Sequence, residues 1–120
     1  MNILRLNSTG SFTEIDGDYF SYNTRLSFNY LGEYFVNRTR YSNTTSKHQH
    51  NLPYEDFNHT LYYQTYGYVD AKKCLQYEVS GLQQELKYRQ GKRKTINNLS
   101  EIEKIKNKID FLSTLINEEN

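Results

Sequence analysis

The spacing of apolar residues changes once along this chain, near residue 68, and that change constrains the fold more than any other feature. Upstream of it, the apolar residues come in short runs rich in Tyr, Phe, Ile and Val, which are typical of β-strands. Downstream, they recur every three or four residues, which is typical of amphipathic helices. The sequence therefore predicts an α+β fold, with an N-terminal antiparallel β-sheet followed by a C-terminal two-helix hairpin.

Short aromatic and β-branched runs predict the strands within residues 1–67. The runs are NILRL, SFTEI, YFSY, RLSFNYL, EYFVNR and HTLYYQTY. DGD at 16–18 and LGE at 31–33 are hairpin-turn signals, because Gly tolerates the positive φ that tight turns need. The runs on either side of each signal are close enough in the chain to pair antiparallel.

The polar segment NTTSKHQHNL interrupts the strand pattern and predicts a short helix near residues 45–51. Thr44, Thr45 or Ser46 can cap its N-terminus through a side-chain oxygen. Pro53 disfavours helical backbone in the residue before it, so we expect the helix to end before that position.

Residues 68–120 predict a hairpin of two helices. The first runs roughly from Asp70 to Arg89 and carries an apolar stripe formed by Leu75, Val79, Leu82 and Leu86. The second begins near Ser100 or a few residues earlier, where Asn98 and Glu101 stand at capping-box spacing. Its heptad seam consists of Ile102, Ile105, Ile109, Leu112 and Ile116. Such stripes predict packing, either within the hairpin or against a second copy of the chain.

The length of 120 residues fits one small domain, and the composition suggests that a second copy completes its core. The mean hydropathy is −0.90, yet twelve Tyr and six Phe supply large apolar areas. In the second helix, Ile96, Leu99 and Leu115 widen the apolar face beyond one seam. We therefore expect residues 1–120 to form a single domain that homo-oligomerises through its helices, as a dimer or a larger ring.

The charge distribution and the cysteine content restrict the partners and the compartment. A formal net charge of +1 argues against a DNA-coating protein and against an acidic nucleic-acid mimic. Cys74 is the only cysteine, which excludes an internal disulfide and predicts a buried thiol in a reducing compartment. No stretch approaches the roughly 18 apolar residues of a membrane span, so a cytoplasmic location without membrane contact is expected.

Motifs for nucleotide hydrolysis and for catalysis are missing. The six glycines are scattered and match neither the P-loop nor the dinucleotide-binding pattern. Nothing in the sequence activates Cys74 as a nucleophile, and Asp16 and Asp18 belong to a tight-turn sequence. His48 and His50 can share a metal only on a strand, because on a helix their rings diverge by roughly 200 degrees. We therefore predict neither an enzyme, nor a cofactor, nor a metal site.

The segment NRTRYSNTTSKHQH, residues 37–50, concentrates cationic and hydroxyl side chains. If residues 36–41 form a strand, Arg38 and Arg40 lie on one face and repel each other unless an anion lies between them. The hydroxyls and free N–H groups at the start of the following helix can bind the same phosphate. The alternative is a polar sheet surface followed by a capped turn. The candidate ligand-binding residues here are Arg38, Arg40, Thr44, Thr45, Ser46, Lys47 and His48.

A second polar cluster, KYRQGKRK at residues 87–94, places five cations and no acid at the tip of the predicted hairpin. Such a basic tip can touch nucleic acid or the phosphates of a small ligand. The alternative is a solvated loop, whose basic residues are favoured by the dipole at the end of the first helix.

Residues 19–52, YFSYNTRLSFNYLGEYFVNRTRYSNTTSKHQHNL, resemble a recurring pattern in small proteins of tailed bacteriophages. The pattern is an S-Y-[NS]-T strand, a hairpin, then Y-S-x-T-T-[SR]-[KR]-H before a short helix. The arrangement of a sheet followed by two helices also resembles the Thoeris anti-defence sponges, a phage-encoded group. Those proteins fold as interlocked oligomers and sequester, without cleaving it, the cyclic ADP-ribose isomer that signals infection. The resemblance implies a non-enzymatic homo-oligomer that binds a cyclic nucleotide in the cytoplasm of an infected bacterium.

Applied to this chain, the resemblance suggests a different role in ligand binding for each group of candidate residues. Arg38 and Arg40, with the hydroxyls of residues 44–46, would hold the phosphates, and a Tyr or Phe of the sheet would stack on the base. Arg93 and Asn97, from the helical half of the same or a neighbouring subunit, would close the pocket.

Two other classes of function fit the same sequence. A phage inhibitor could block a host defence nuclease or a nucleic-acid channel, using residues 87–94 and exposed tyrosines as contacts. A phage structural or assembly protein would need the heptad seam alone.

Overall fold

The computed structural model describes residues 2–64 and 67–118. Its elements, in chain order, are β1 (Ile3–Arg5), β2 (Phe12–Ile15), β3 (Asp18–Ser21), β4 (Thr24–Tyr30), β5 (Glu33–Asn37), α1 (Asn43–His50), a 3-10 turn (Tyr54–Asp56), β6 (His59–Leu61), α2 (Ala71–Gln90) and α3 (Ile96–Glu118). The α+β class, with a sheet followed by two helices that pack together, is thus confirmed.

The chain divides into two compact units, Met1–Cys74 and Leu75–Asn120, which we call the sheet unit and the helical unit. Each is described by itself below. The expectation of a single domain over residues 1–120 stays a prediction, as does assembly into an oligomer.

The sheet has six strands in the order β1-β2-β3-β4-β5-β6. Neighbouring strands from β1 to β5 pair antiparallel, as the sequence predicted. The last strand differs, because β6 pairs parallel with β5. Between β5 and β6 the chain passes through α1 and the 3-10 turn, and a connection of that length can return the chain for parallel pairing, whereas a tight hairpin cannot.

Two of the hairpin turns have the backbone that their sequences predicted. Asp16 and Gly17 have φ values of 51° and 92°, and Leu31 and Gly32 have values of 51° and 84°. Positive φ at both central residues matches the twist of the flanking strands, which is why Gly occupies the second position in each turn.

One cluster of buried core residues connects three strands of the sheet with the chain that follows α1. Its buried members are Phe12, Leu26, Val36 and Leu52. Elsewhere in the sheet unit, Cys74 is fully buried, as predicted, and its burial raises the pKa of the thiol to about 11. At neutral pH this thiol is protonated, so Cys74 acts as a packed side chain and not as a nucleophile.

The second helix begins a few residues before Ser100, as predicted, but its cap differs from the prediction. Helix α3 begins at Ile96, and the cap is Thr95, whose Oγ1 accepts the Asn98 N–H at 3.1 Å. Asn98 lies inside the helix, and its amide instead donates to the carbonyls of Arg89 and Arg93. The capping box predicted at Asn98 is therefore wrong, because the Thr three residues upstream supplies the cap.

The predicted seam is only partly buried. Ile105 and Leu112 are buried, whereas the other seam residues, Ile102, Ile109 and Ile116, are half-buried. Two apolar side chains near the start of α3, Ile96 and Leu99, are exposed. No helix of the described residues is both long enough and apolar enough to cross a bilayer.

Candidate ligand-binding site

The segment that carries Arg38 and Arg40 is not a strand. Strand β5 ends at Asn37, and just beyond it the Arg38 N–H donates to the Leu61 carbonyl at 2.9 Å. Asn37 then turns the chain, because its Oδ1 accepts the Thr39 N–H at 2.9 Å. Such local side-chain bonds compete with sheet pairing. The prediction that Arg38 and Arg40 share one face required a strand over residues 36–41, and that strand does not form.

A buried glutamine ties this irregular segment to α1. The Gln49 amide donates from Nε2 to the carbonyls of Asn37 and Thr39, at 2.9 and 3.0 Å. The orientation of the amide is unambiguous, because both partners can only accept. Gln49 thus fixes the backbone on both sides of Arg38.

Sequence reasoning missed Gln49, although a signal was present. Thr45, His48 and Gln49 are the buried residues of α1, and their i, i+3, i+4 spacing marks the inward face of a helix. All three are polar, so a search for apolar stripes passes over them.

The cap of α1 also differs from the prediction. Helix α1 begins at Asn43, and Ser42 Oγ accepts the Thr45 N–H at 3.1 Å. Capping by Thr44, Thr45 or Ser46 is therefore wrong, because the serine just upstream already supplies the oxygen. The Thr45 hydroxyl bonds to Ser21 Oγ at 3.0 Å and to Ser42 Oγ at 3.2 Å.

His48 belongs to the same buried network. Its Nδ1 lies 2.6 Å from Ser21 Oγ, and its ring stacks on Phe12 with centroids 4.8 Å apart. The amide of Asn7 donates from Nδ2 to His48 Nε2 at 3.4 Å, which leaves the ring proton on Nδ1 facing Ser21. Burial lowers the pKa of His48 below its usual value. His50 lies on the same helix but is exposed, whereas His48 is buried. The two rings therefore diverge, as predicted for a helix.

Stability is expected to fall as the pH drops below 6.5, the usual pKa of histidine. Because the folded pKa of His48 is depressed, the unfolded chain binds the proton first, and the free energy of unfolding decreases until the folded pKa is reached. One proton limits the slope to about 1.4 kcal/mol per pH unit. Urea unfolding between pH 7.5 and 5 measures it.

The matched control for this pH dependence is His50→Gln, which removes an exposed histidine from the same helix. That variant should keep the wild-type slope, whereas His48→Gln should flatten it. An equal slope in the wild type and in His48→Gln would show that another group titrates.

A cleft of about 360 Å³ lies beside the Arg38 segment. Its walls are Arg38, Arg40, Ser46, Gln49, His50 and Tyr54. The guanidinium carbon of Arg38 lies 4.4 Å from the centre of the Tyr54 ring. We call this cleft the arginine pocket. Guanidinium groups bind phosphate oxygens through charge-assisted, often bidentate hydrogen bonds, and the neighbouring hydroxyl and amide suit a sugar.

A second pocket, of about 460 Å³, shares Arg40 with the first. We call it the tyrosine pocket, because Tyr22 and Tyr41 line it together with Asn23, Ser42 and Gln64. The Arg40 guanidinium also donates from Nη2 to Asn43 Oδ1 at 3.3 Å. Arg40 therefore lines both the arginine pocket and the tyrosine pocket.

The remaining candidate residues lie elsewhere. Thr44 and Lys47 are exposed on α1 and are not among the residues that line these two pockets. Arg93 precedes α3 and Asn97 lies in its first turn, both exposed in the helical unit. That these two residues close the pocket stays a prediction.

The basic tip at residues 87–94 is exposed except for Arg89, which pairs with Glu85. The Lys92 ammonium lies 4.6 Å from the centre of the Tyr88 ring. The tip therefore presents several cations and one aromatic face to the solvent.

Comparisons of this chain with protein-family models, with curated proteins and with solved structures found no match. Among the described residues, no group of three or more His, Cys, Asp or Glu side chains could hold a metal ion.

Proposed function

We propose that the protein binds and retains a cyclic nucleotide signal of the ADP-ribose type, without cleaving it, as a phage-encoded anti-defence protein. The observation that carries the proposal is that Arg40 lines two pockets while Arg38 lines one of them and lies against Tyr54. A ligand with a central pyrophosphate and a ring-bearing group on each side has the matching distribution of charge.

The sizes of the pockets support a small ligand. Volumes of about 360 and 460 Å³ fall within the roughly 300–1,000 Å³ of pockets that hold small molecules. Hydroxyl, amide and aromatic groups surround the guanidiniums, which is the set that a ribose and a base require. Retention depends on slow release, and a homo-oligomer that covers the pockets would slow it further.

Calorimetry with cyclic ADP-ribose and with linear ADP-ribose tests the proposal. We expect saturable binding of at least the cyclic form, and recovery of the intact ligand by mass spectrometry after the protein is heated. The affinity should change little between 50 and 200 mM salt, because the ligand neutralises only a few charges. Failure to bind either compound, or recovery of a cleaved product, would refute the proposal.

A second candidate function rests on the exposed cations of the basic tip. Here the protein would block a nuclease or a nucleic-acid channel, with Tyr88 and neighbouring cations in contact with the strand. Binding to a single-stranded oligonucleotide should then weaken steeply with salt. Replacing Lys92, Arg93 and Lys94 by alanine should abolish it, and an inhibitor insensitive to that change does not use the tip.

A further inference from the structure

Tyr22 has a backbone conformation that a tyrosine rarely adopts. It is the first residue of the two-residue turn between β3 and β4, where Ser21 pairs with Thr24. Its φ is 56°, in the left-handed region that glycine occupies easily and bulky side chains avoid. The second turn residue, Asn23, does not have positive φ, and a hairpin turn with positive φ at its first central residue alone normally carries Gly there. The tyrosine is thus a poor choice for the turn itself.

The surrounding fold holds this turn in place. The Tyr22 N–H donates to the Ser11 carbonyl at 2.6 Å. The preceding residue, Ser21, is anchored by its bonds to Thr45 and His48. These hydrogen bonds involve the backbone of Tyr22 and the side chain of Ser21, so they do not require the Tyr22 ring. Strain that the surroundings over-determine is a common mark of functional positions.

The Tyr22 ring adds little to the core. The residue is 56% exposed, and among the described residues its ring contacts the ring of His48, at a centroid distance of 6.2 Å and a tilt of 50°. Tyr22 instead lines the tyrosine pocket, together with Asn23 and Arg40. Packing therefore does not explain why a large aromatic side chain occupies this turn.

We propose that Tyr22 is the stacking platform for a nucleobase, and that the tyrosine pocket takes the base-bearing half of the ligand. This assignment rests on the proposed function, because it requires a phosphate held at Arg40. From there the base extends toward Tyr22, while the second ribose, which the ring closure of a cyclic ligand joins to the base, lies at the Arg40 side of the arginine pocket. Asn23 lines the same pocket, and a side-chain amide is suited to the hydrogen-bonding edge of a base.

The ligand class follows from this arrangement. Stacking on an aromatic side chain is tolerant of base identity, because every base presents a π-face. The tyrosine pocket should therefore favour any phosphorylated nucleoside over a phosphorylated sugar that lacks a base. Inorganic pyrophosphate, ribose 5-phosphate and ADP-ribose are the probes that separate these contributions.

Tyr22→Gly is the decisive variant, because it removes the ring and relieves the strained backbone together. We expect its Tm to equal or exceed that of the wild type, while its affinity for ADP-ribose falls about tenfold. The affinity for pyrophosphate should not change, because that probe has no base. Tyr22→Phe keeps the ring and should bind ADP-ribose as the wild type does. Tyr34→Ala, which removes a tyrosine that is 46% exposed on β5, is the matched control.

The outcomes separate the two proposals. If the wild type binds pyrophosphate and ADP-ribose, and Tyr22→Gly binds ADP-ribose equally well, the stacking assignment is wrong and the proposed function stands. If the wild type binds cyclic ADP-ribose but neither pyrophosphate nor ADP-ribose, the stacking assignment is wrong and the proposed function stands. If it binds none of these three compounds, both proposals fall. Should Tyr22→Gly fail to fold, Tyr22→Leu replaces it, and wild-type affinity for ADP-ribose in that variant overturns the assignment.

Discussion

Arg40→Ala is expected to weaken the binding of ADP-ribose-type nucleotides about 100-fold, provided that the ligand occupies the pockets described above. A hydrogen bond to a charged group contributes about 1.5–3 kcal/mol, and each 1.4 kcal/mol is a factor of ten in affinity. Arg40 lines both pockets, so its removal affects the phosphates and both flanking groups. Calorimetry on the folded variant measures the loss.

Arg38→Ala should have the smaller effect, about tenfold, because Arg38 lines only the arginine pocket. Arg40→Lys should fall between the wild type and Arg40→Ala, since lysine keeps the charge but loses the planar fork. Arg5→Ala is the matched control, because Arg5 is an exposed arginine of β1 that lines neither pocket. Equal affinities of Arg40→Ala and Arg5→Ala would place the ligand elsewhere.

The strands and helices were predictable because their signals are local. Gly17 and Gly32 mark the two turns with positive φ at both central residues, and the runs beside them are rich in the aromatic and β-branched residues that strands favour. The apolar stripe that includes Ile105 and Leu112 likewise reports the packed face of α3. Such patterns depend on neighbours only a few residues apart, so one sequence contains them.

The parallel pairing of β6 was not predictable in the same way. Strand β6 lies next to β5 only because the chain between them folds back through α1, so the partner of β6 depends on non-local contacts. The ion pair between Glu78 and Lys108 is similar, with Nζ and Oε2 3.2 Å apart across the two helices. The sequence did not predict that Glu78, which is 4% exposed, is buried, because only the apolar stripe marked the inner face of α2.

The candidate site was located by composition but not by geometry. The density of arginines and hydroxyls pointed to residues 37–50, and both pockets draw walls from that segment. The roles within it came out differently, because Thr45 and His48 are bonded inside the fold. Tyr22 joins the site from a distant turn, a placement that depends on how the sheet and α1 pack and not on any local pattern.

Gln49→Glu is expected to lower the free energy of unfolding by about 3 kcal/mol at pH 7. The substitution keeps the size of the side chain but replaces the donor that serves the Asn37 and Thr39 carbonyls. Each unsatisfied buried acceptor costs about 1–3 kcal/mol, and the new carboxylate would face both of them. Urea unfolding followed by circular dichroism measures the change. Gln83→Glu, at an exposed position of α2, is the matched control and should stay within about 0.5 kcal/mol of the wild type.

The pH dependence of Gln49→Glu distinguishes a lost donor from a simple packing defect. A buried carboxyl without donors has a raised folded pKa, so its stabilising contribution is present at low pH and is lost as the pH rises through that value. Once protonated, the acid can donate to one of the two carbonyls. The stability difference from the wild type should therefore be smaller at pH 5 than at pH 7, and a difference independent of pH would contradict this role.

The same variant should also weaken nucleotide binding, even under conditions where it is fully folded. Gln49 fixes the backbone on both sides of Arg38 and lines the arginine pocket, so losing its bonds frees the segment that presents the guanidiniums. A ligand must then order that segment on binding, which reduces the affinity. If folded Gln49→Glu binds ADP-ribose as tightly as the wild type, the arginines do not need this anchor.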